Sequence, residues 1–86
     1  MNKDLLVAEI ASIIENLRLL NTSKNLTFII DKYVKTSNLL ADEKLNQNLI
    51  KGSYRAYLEV FSDYNNPLVD RMYEFEKKIS LYLKTK

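Results

Sequence analysis

The spacing of the apolar residues constrains this chain more than any other feature. They recur every three or four positions along almost all of its 86 residues. That spacing places them on one side of an α-helix, which has about 3.6 residues per turn, whereas a half-buried strand would need alternation with a period of two. Only one glycine and one proline interrupt the pattern. The sequence therefore predicts an all-α protein.

Clusters of turn-forming and cap-forming residues divide the pattern into four helices. Their predicted bounds are about 4–20, 24–38, 43–61 and 67–84. The apolar stripe of the first is Leu5, Leu6, Ile10, Ile13, Ile14, Leu17 and Leu20, and that of the fourth is Leu68, Met72, Phe75, Ile79 and Tyr82. Short connections between such helices favour an antiparallel up-down-up-down four-helix bundle, with residues 1–86 as one domain.

The predicted boundaries rest on specific residues. Asn66 can cap the fourth helix, and Pro67 suits its first position because no intrahelical hydrogen bond is lost there. Asp42 is the predicted N-cap of the third helix. Gly52 then falls inside that helix, where it costs about 1 kcal/mol relative to alanine. We expect either a close approach by a neighbouring helix at Gly52 or a bend there.

The composition argues against catalysis. The chain has no histidine and no cysteine, so Ser-His or Cys-His nucleophiles and the usual metal-ligand motifs are missing. Most carboxylates, including Glu76, fall on the polar faces of the predicted helices, where we expect them to be solvated. A helical mutase would need inward cations, but Arg18, Arg55 and Arg71 do not interrupt an apolar stripe. We therefore expect no enzymatic activity, no metal and no cofactor.

Charge and hydropathy limit the partners and the location. Thirteen basic and eleven acidic side chains leave a net charge of +2, which is low for a protein that binds nucleic acid. Asp4 and Glu9 interrupt what would be the apolar core of a signal peptide, and no apolar run approaches the roughly 20 residues that span a bilayer. Together with the absence of cysteine, these features predict a cytoplasmic protein whose only membrane contact is peripheral. We also expect the protein to be a monomer.

Two groups of residues are candidates for partner binding. Tyr54 and Tyr57 lie beside Gly52, where a groove between helices would open. Tyrosine is enriched in binding hot spots, but it also seals the margin of a helical core, so both roles stay open. The second group is a run of lysines without any acid, namely Lys77, Lys78, Lys84 and Lys86. These cations either offset the dipole of the last helix or form a basic tip for an acidic partner or an anionic membrane surface.

The second half of the chain contains a recognisable series of segments. It comprises a helical opening around Leu49 and Ile50, the block Tyr54-Arg55-Ala56-Tyr57-Leu58, a polar connection through Tyr64-Asn65-Asn66, and residues 68–76 leading to Ile79 and Leu83. This series resembles the small immunity proteins that accompany class IIa (pediocin-like) bacteriocins, especially the enterocin A immunity group. The resemblance covers the second to fourth predicted helices and rests on spacing and residue character.

The resemblance implies both a fold and a function. Members of that family are cytoplasmic antiparallel four-helix bundles that protect the producing cell from its own bacteriocin. They are thought to act at the mannose phosphotransferase permease that serves as receptor, by locking the receptor–bacteriocin complex. Their specificity is associated with the C-terminal half, which implies contact residues Arg71, Lys77, Lys78, Lys84 and Lys86. The alternative is a generic helical protein-interaction module, such as an antitoxin or a phage adaptor.

Overall fold

The computed structural model describes residues 3–21, 25–62 and 65–85. These residues form four α-helices and no β-strand, which confirms the all-α prediction. The helices are α1 (Lys3–Leu20), α2 (Thr27–Ala41), α3 (Ser53–Phe61) and α4 (Pro67–Thr85). Helices α1 and α4 agree with their predicted bounds to within one residue, and α2 begins and ends three residues later than predicted. None of the helices in the described ranges combines the length and apolar composition needed to cross a bilayer.

One hydrophobic core joins the four helices. Helix α1 packs against α2 and α4, and α3 packs against α4 and α2. The buried stripe residues are Leu6, Ile10, Ile13, Ile14 and Leu17 of α1 and Leu68, Met72, Phe75 and Ile79 of α4, as predicted, whereas Leu5 is exposed. Full burial of such a side chain contributes about 1.5–3 kcal/mol, so this core is the main source of stability.

Helix α2 continues beyond its predicted end. The predicted end was residue 38, but the Thr36 hydroxyl donates a hydrogen bond to the Lys32 carbonyl oxygen at 2.8 Å and the helix continues to Ala41. Asp42 is the C-cap of α2, and its backbone N–H donates to the carbonyl oxygen of Asn38. The prediction that Asp42 begins the third helix is therefore wrong.

The third helix is much shorter than the predicted 43–61. Residues 42–52 form an irregular connection, in which Glu43 and Gly52 have positive φ angles of 59° and 86° that no α-helix contains. Leu45 and Ile50 are nevertheless buried in the core. Apolar periodicity alone does not distinguish the buried residues of an irregular segment from those of a helix, and for this reason the segment was predicted to be helical.

Gly52 is the N-cap of α3 in a left-handed conformation. A Cβ atom built on it would meet no heavy atom within 4 Å. The expected close approach or helix bend at this position is therefore wrong. Glycine is favoured here because L-residues with a side chain rarely adopt this φ angle, and not because space is short.

Candidate functional site

An open groove lies between α4 and the irregular segment that precedes α3. Its volume is about 380 Å³, and its walls are formed by Asn48, Lys51, Tyr73, Glu76, Lys77, Ser80, Leu81 and Lys84. We call it the lysine groove, because three of these side chains are lysines. Leu81 and Tyr73 are 51% and 40% exposed and supply apolar surface to the same groove. The groove therefore combines positive charge with uncovered apolar area.

Asn48 ties one wall of the lysine groove to the other. Its side-chain amide donates hydrogen bonds to the Glu76 carbonyl oxygen at 3.0 Å and to Ser80 Oγ at 2.9 Å. Glu76 and Ser80 are four residues apart on α4 and so lie on the same face of that helix. The Asn48 Oδ1 atom also accepts a hydrogen bond from the backbone N–H of Ile50 at 3.2 Å. The segment that carries Lys51 is thus fixed against α4.

The Glu76 carboxylate caps the N-terminus of α3. Its Oε1 atom accepts from the Gly52 N–H at 2.7 Å, and its Oε2 atom accepts from Ser53 Oγ at 2.7 Å and from the Tyr54 N–H at 3.0 Å. The first N–H groups of a helix have no intrahelical acceptor and form the positive end of its dipole. A carboxylate from α4 therefore supplies the cap that α3 lacks in its own sequence.

Glu76 is only 7% exposed, so the prediction that it is solvated is wrong. The three donors of α3 replace the water that an exposed carboxylate would bind. Position 76 falls among the polar positions of α4, so the sequence of that helix alone does not distinguish Glu76 from its solvated neighbours. The burial of Glu76 depends on where α3 begins, which is a tertiary feature that the sequence of α4 does not contain.

Tyr33 of α2 extends this network into the core. Its hydroxyl lies 2.7 Å from Ser53 Oγ. Because Ser53 donates its own proton to Glu76, Tyr33 is the donor to Ser53. Burial raises the pKa of the Tyr33 phenol well above its usual range, and the nearby Glu76 charge adds to the increase. The chain of hydrogen bonds Tyr33–Ser53–Glu76 therefore connects α2, α3 and α4.

The predicted basic contact residues do not form a single tip. Lys77 and Lys84 line the lysine groove. Lys78 instead faces α1, where its ammonium group lies 2.8 Å from Glu9 Oε1. Arg71 also faces α1 and donates to Ser12 Oγ at 2.8 Å. These side chains thus divide between two faces of α4, and Lys86 lies outside the described residues.

The two predicted tyrosines differ in position. The Tyr54 ring packs edge-on against Tyr73, with 5.0 Å between ring centroids, and so lies next to the lysine groove. The Lys77 ammonium group is 4.2 Å from the Tyr73 ring centroid, within the range of a cation–π contact. Tyr57 is 1% exposed and belongs to the core. The structure thus leaves Tyr54 near the lysine groove and Tyr57 in the core, away from that groove.

Lys51 is the one lysine of the groove that was not predicted from the sequence as a contact residue. It lies in the segment that was predicted to be helical, beside the capped start of α3. Its place in the groove depends on the turn that Asn48 and Gly52 form. The only local signal for that turn is the run of asparagine and glutamine at residues 46–48 followed by Gly52.

Comparison with known proteins identifies one family. Residues 3–86 match the family described as YeeD uncharacterised protein, and the chain belongs to that family. No curated protein and no solved structure matches the chain. The description of the family names neither a ligand nor an activity.

Proposed function

We propose that this chain is a bacteriocin immunity protein. In this role it has no catalytic turnover and protects the producing cell by stoichiometric binding at the receptor permease, with or without the bacteriocin. The observation that carries the binding role is the lysine groove, whose lining combines three lysines with the exposed apolar side chain of Leu81 and the partly exposed ring of Tyr73. Exposed apolar surface with a polar rim is typical of protein-binding sites. The resemblance of the second half of the sequence to the immunity proteins supports the specific role.

We infer an antiparallel up-down-up-down arrangement for the bundle. The packed pairs α1–α2, α2–α3, α3–α4 and α1–α4 form a closed ring of neighbours, as such a bundle requires. The irregular segment 42–52 takes the place of the first part of the predicted third helix. A cytoplasmic monomer of this kind would reach the permease from the inner face of the membrane, as a peripheral partner.

We assign the partner contact to the lysine groove and its border. Lys77 and Lys84 are the predicted contact residues within it, Lys51 joins them from the opposite wall, and Tyr54 borders it through Tyr73. Arg71 and Lys78 contact α1 and are assigned a structural role instead.

Expression in a bacteriocin-sensitive strain tests the proposed function. Cells that produce the chain are challenged with a panel of pediocin-like peptides, and cells carrying the empty vector are the control. We expect survival against at least one peptide at concentrations that kill the control. Unchanged killing across the panel would contradict the proposal.

The exposed apolar surface of the groove also favours the second candidate, a helical interaction module such as an antitoxin or a phage adaptor. Cross-linking in producing cells, followed by purification of the tagged chain, distinguishes the two. Recovery of permease subunits supports the immunity role. Recovery of a soluble toxin in their place supports the interaction module.

A further inference from the structure

We propose that the lysine groove binds a short acidic segment of a partner protein that carries one large apolar side chain. This inference rests on the proposed binding role but not on the identity of the receptor. It follows from three features of the groove: its uncompensated charge, its apolar surface and its prior organisation.

Two of the three lysines of the groove carry charge that no ion pair within the described residues neutralises, and the third, Lys77, also contacts the Tyr73 ring. Lys51 and Lys84 form no ion pair within the described part of the chain, and Lys77 has only an exposed pair with Glu74 at 3.9 Å. The Glu76 carboxylate is engaged by three donors of α3. The positive charge of the rim is therefore available for carboxylates of a partner, which it attracts at low ionic strength.

The apolar surface of the groove specifies the second part of the ligand. Leu81 and Tyr73, which line the groove together with the lysines, remain about half exposed. The volume of about 380 Å³ is near the lower end of the roughly 300–1,000 Å³ that ligand pockets occupy. That space suits one or two large side chains and is too small for the whole apolar face of a helix. A leucine or an aromatic residue between acidic neighbours therefore fits both features.

The groove is organised before a ligand binds. Asn48 holds one wall to α4 through Glu76 and Ser80, and Glu76 holds the start of α3. Binding to such a preformed site avoids much of the entropy cost of ordering the protein.

Two other occupants fit the groove less well. An anionic membrane surface is broad and would extend along α4 beyond the groove to the exposed carboxylates Asp70 and Glu74, which it would repel. Neither carboxylate lines the groove, so a short segment that stays within its walls avoids that repulsion. A second copy of the chain would bring two sets of the same three lysines together, and like charges oppose that contact. The acidic segment is the occupant that charge complementarity favours.

Selection from a random-peptide display library on the purified full-length protein tests the proposal. We expect the selected peptides to be rich in Asp and Glu around a Leu, Ile, Phe or Trp. The double variant Lys51→Glu/Lys84→Glu should weaken their binding by about tenfold or more, since two favourable contacts become repulsive. Leu81→Asp should weaken it similarly. All three side chains are exposed, so circular dichroism should show that the variants remain folded.

The matched control is Lys32→Glu/Lys35→Glu, which makes the same change of charge at exposed positions of α2, a helix that does not pack against α4. This control should leave the affinity for the selected peptides within about twofold of the wild-type value, because it changes only charges that are distant from the groove and screened by salt. A selection without acidic enrichment, or equal losses in both double variants, would overturn the proposal. The proposal would also be overturned if the wild type bound phosphatidylglycerol vesicles or formed dimers, and if only the groove variants lost that binding or dimer formation. Peptide binding by a chain that gives no protection to cells would refute the immunity role and leave this inference intact.

Discussion

Glu76 connects the local structure of the groove to that of α3. Helix α3 has only nine residues, which is shorter than isolated helices that are stable in water. Its first turn depends on the three hydrogen bonds that the Glu76 carboxylate accepts. Because the donors lie at the positive end of the helix dipole, the charge of the carboxylate matters as well as its shape.

Replacement of Glu76 by glutamine should destabilise the protein. The amide removes the negative charge and turns an N–H group toward backbone N–H donors, so we expect the free energy of unfolding to fall by about 1.5–3 kcal/mol. Urea denaturation measures this loss. Glu74→Gln is the control on the same helix, because Glu74 is exposed, and should change stability by less than about 0.5 kcal/mol. Equal effects of the two substitutions would contradict the buried role of Glu76.

Tyr33 should make stability depend on alkaline pH. In the unfolded chain its phenol loses a proton near about pH 10, whereas burial raises its pKa in the folded state. The folded protein then binds more protons above that pH, so the contribution to stability is present below about pH 10 and is lost as the pH rises.

Comparison with Tyr33→Phe isolates this effect, because the other tyrosines are common to both proteins. The variant should lose about 1 kcal/mol at neutral pH, since Ser53 loses its donor. Its stability should then decline less than that of the wild type above about pH 10. Parallel declines in urea denaturation at several pH values would show that the Tyr33 phenol does not contribute.

At the scale of the helices, a substitution at Gly52 tests whether α3 begins there, as observed, or whether the longer predicted helix runs through this position. In the middle of a helix, alanine would be more stable than glycine by about 1 kcal/mol. At a φ angle of 86°, alanine should instead cost about 1–2 kcal/mol. Gly52→Asn should cost less, because asparagine tolerates the left-handed region better. Thermal or urea denaturation gives the sign, and a stabilised Gly52→Ala variant would contradict the observed conformation.

The helices that sequence spacing predicts well are those whose stripes run without interruption, as in α1 and α4. Asn66 marks the start of α4 correctly, and its Oδ1 atom accepts from the Leu68 N–H at 2.9 Å. The segment before α3 was not predictable in this way, because Leu45 and Ile50 are buried from an irregular backbone. For the same reason Lys77 and Lys84 were found as candidate contacts while Lys51 was not.

Across the whole molecule, two of the predicted contact residues join α1 to α4. The pair formed by Lys78 and Glu9 is partly exposed, and such pairs contribute about 0.2–1 kcal/mol. Lys78→Ala should therefore lower stability by no more than this amount. It should also leave peptide binding by the lysine groove unchanged. A stable Lys78→Ala variant that no longer protects cells would place Lys78 in the partner contact instead.

A survival assay with charge-reversed variants tests the working role of the lysine groove most directly. Sensitive cells produce equal amounts of the wild type, of Lys51→Glu/Lys84→Glu, or of the α2 control Lys32→Glu/Lys35→Glu, and are challenged with a pediocin-like peptide against which the wild type protects. We expect survival with the wild type and the control, and killing with the groove variant although it is folded. Equal protection by both double variants would contradict the role of the groove.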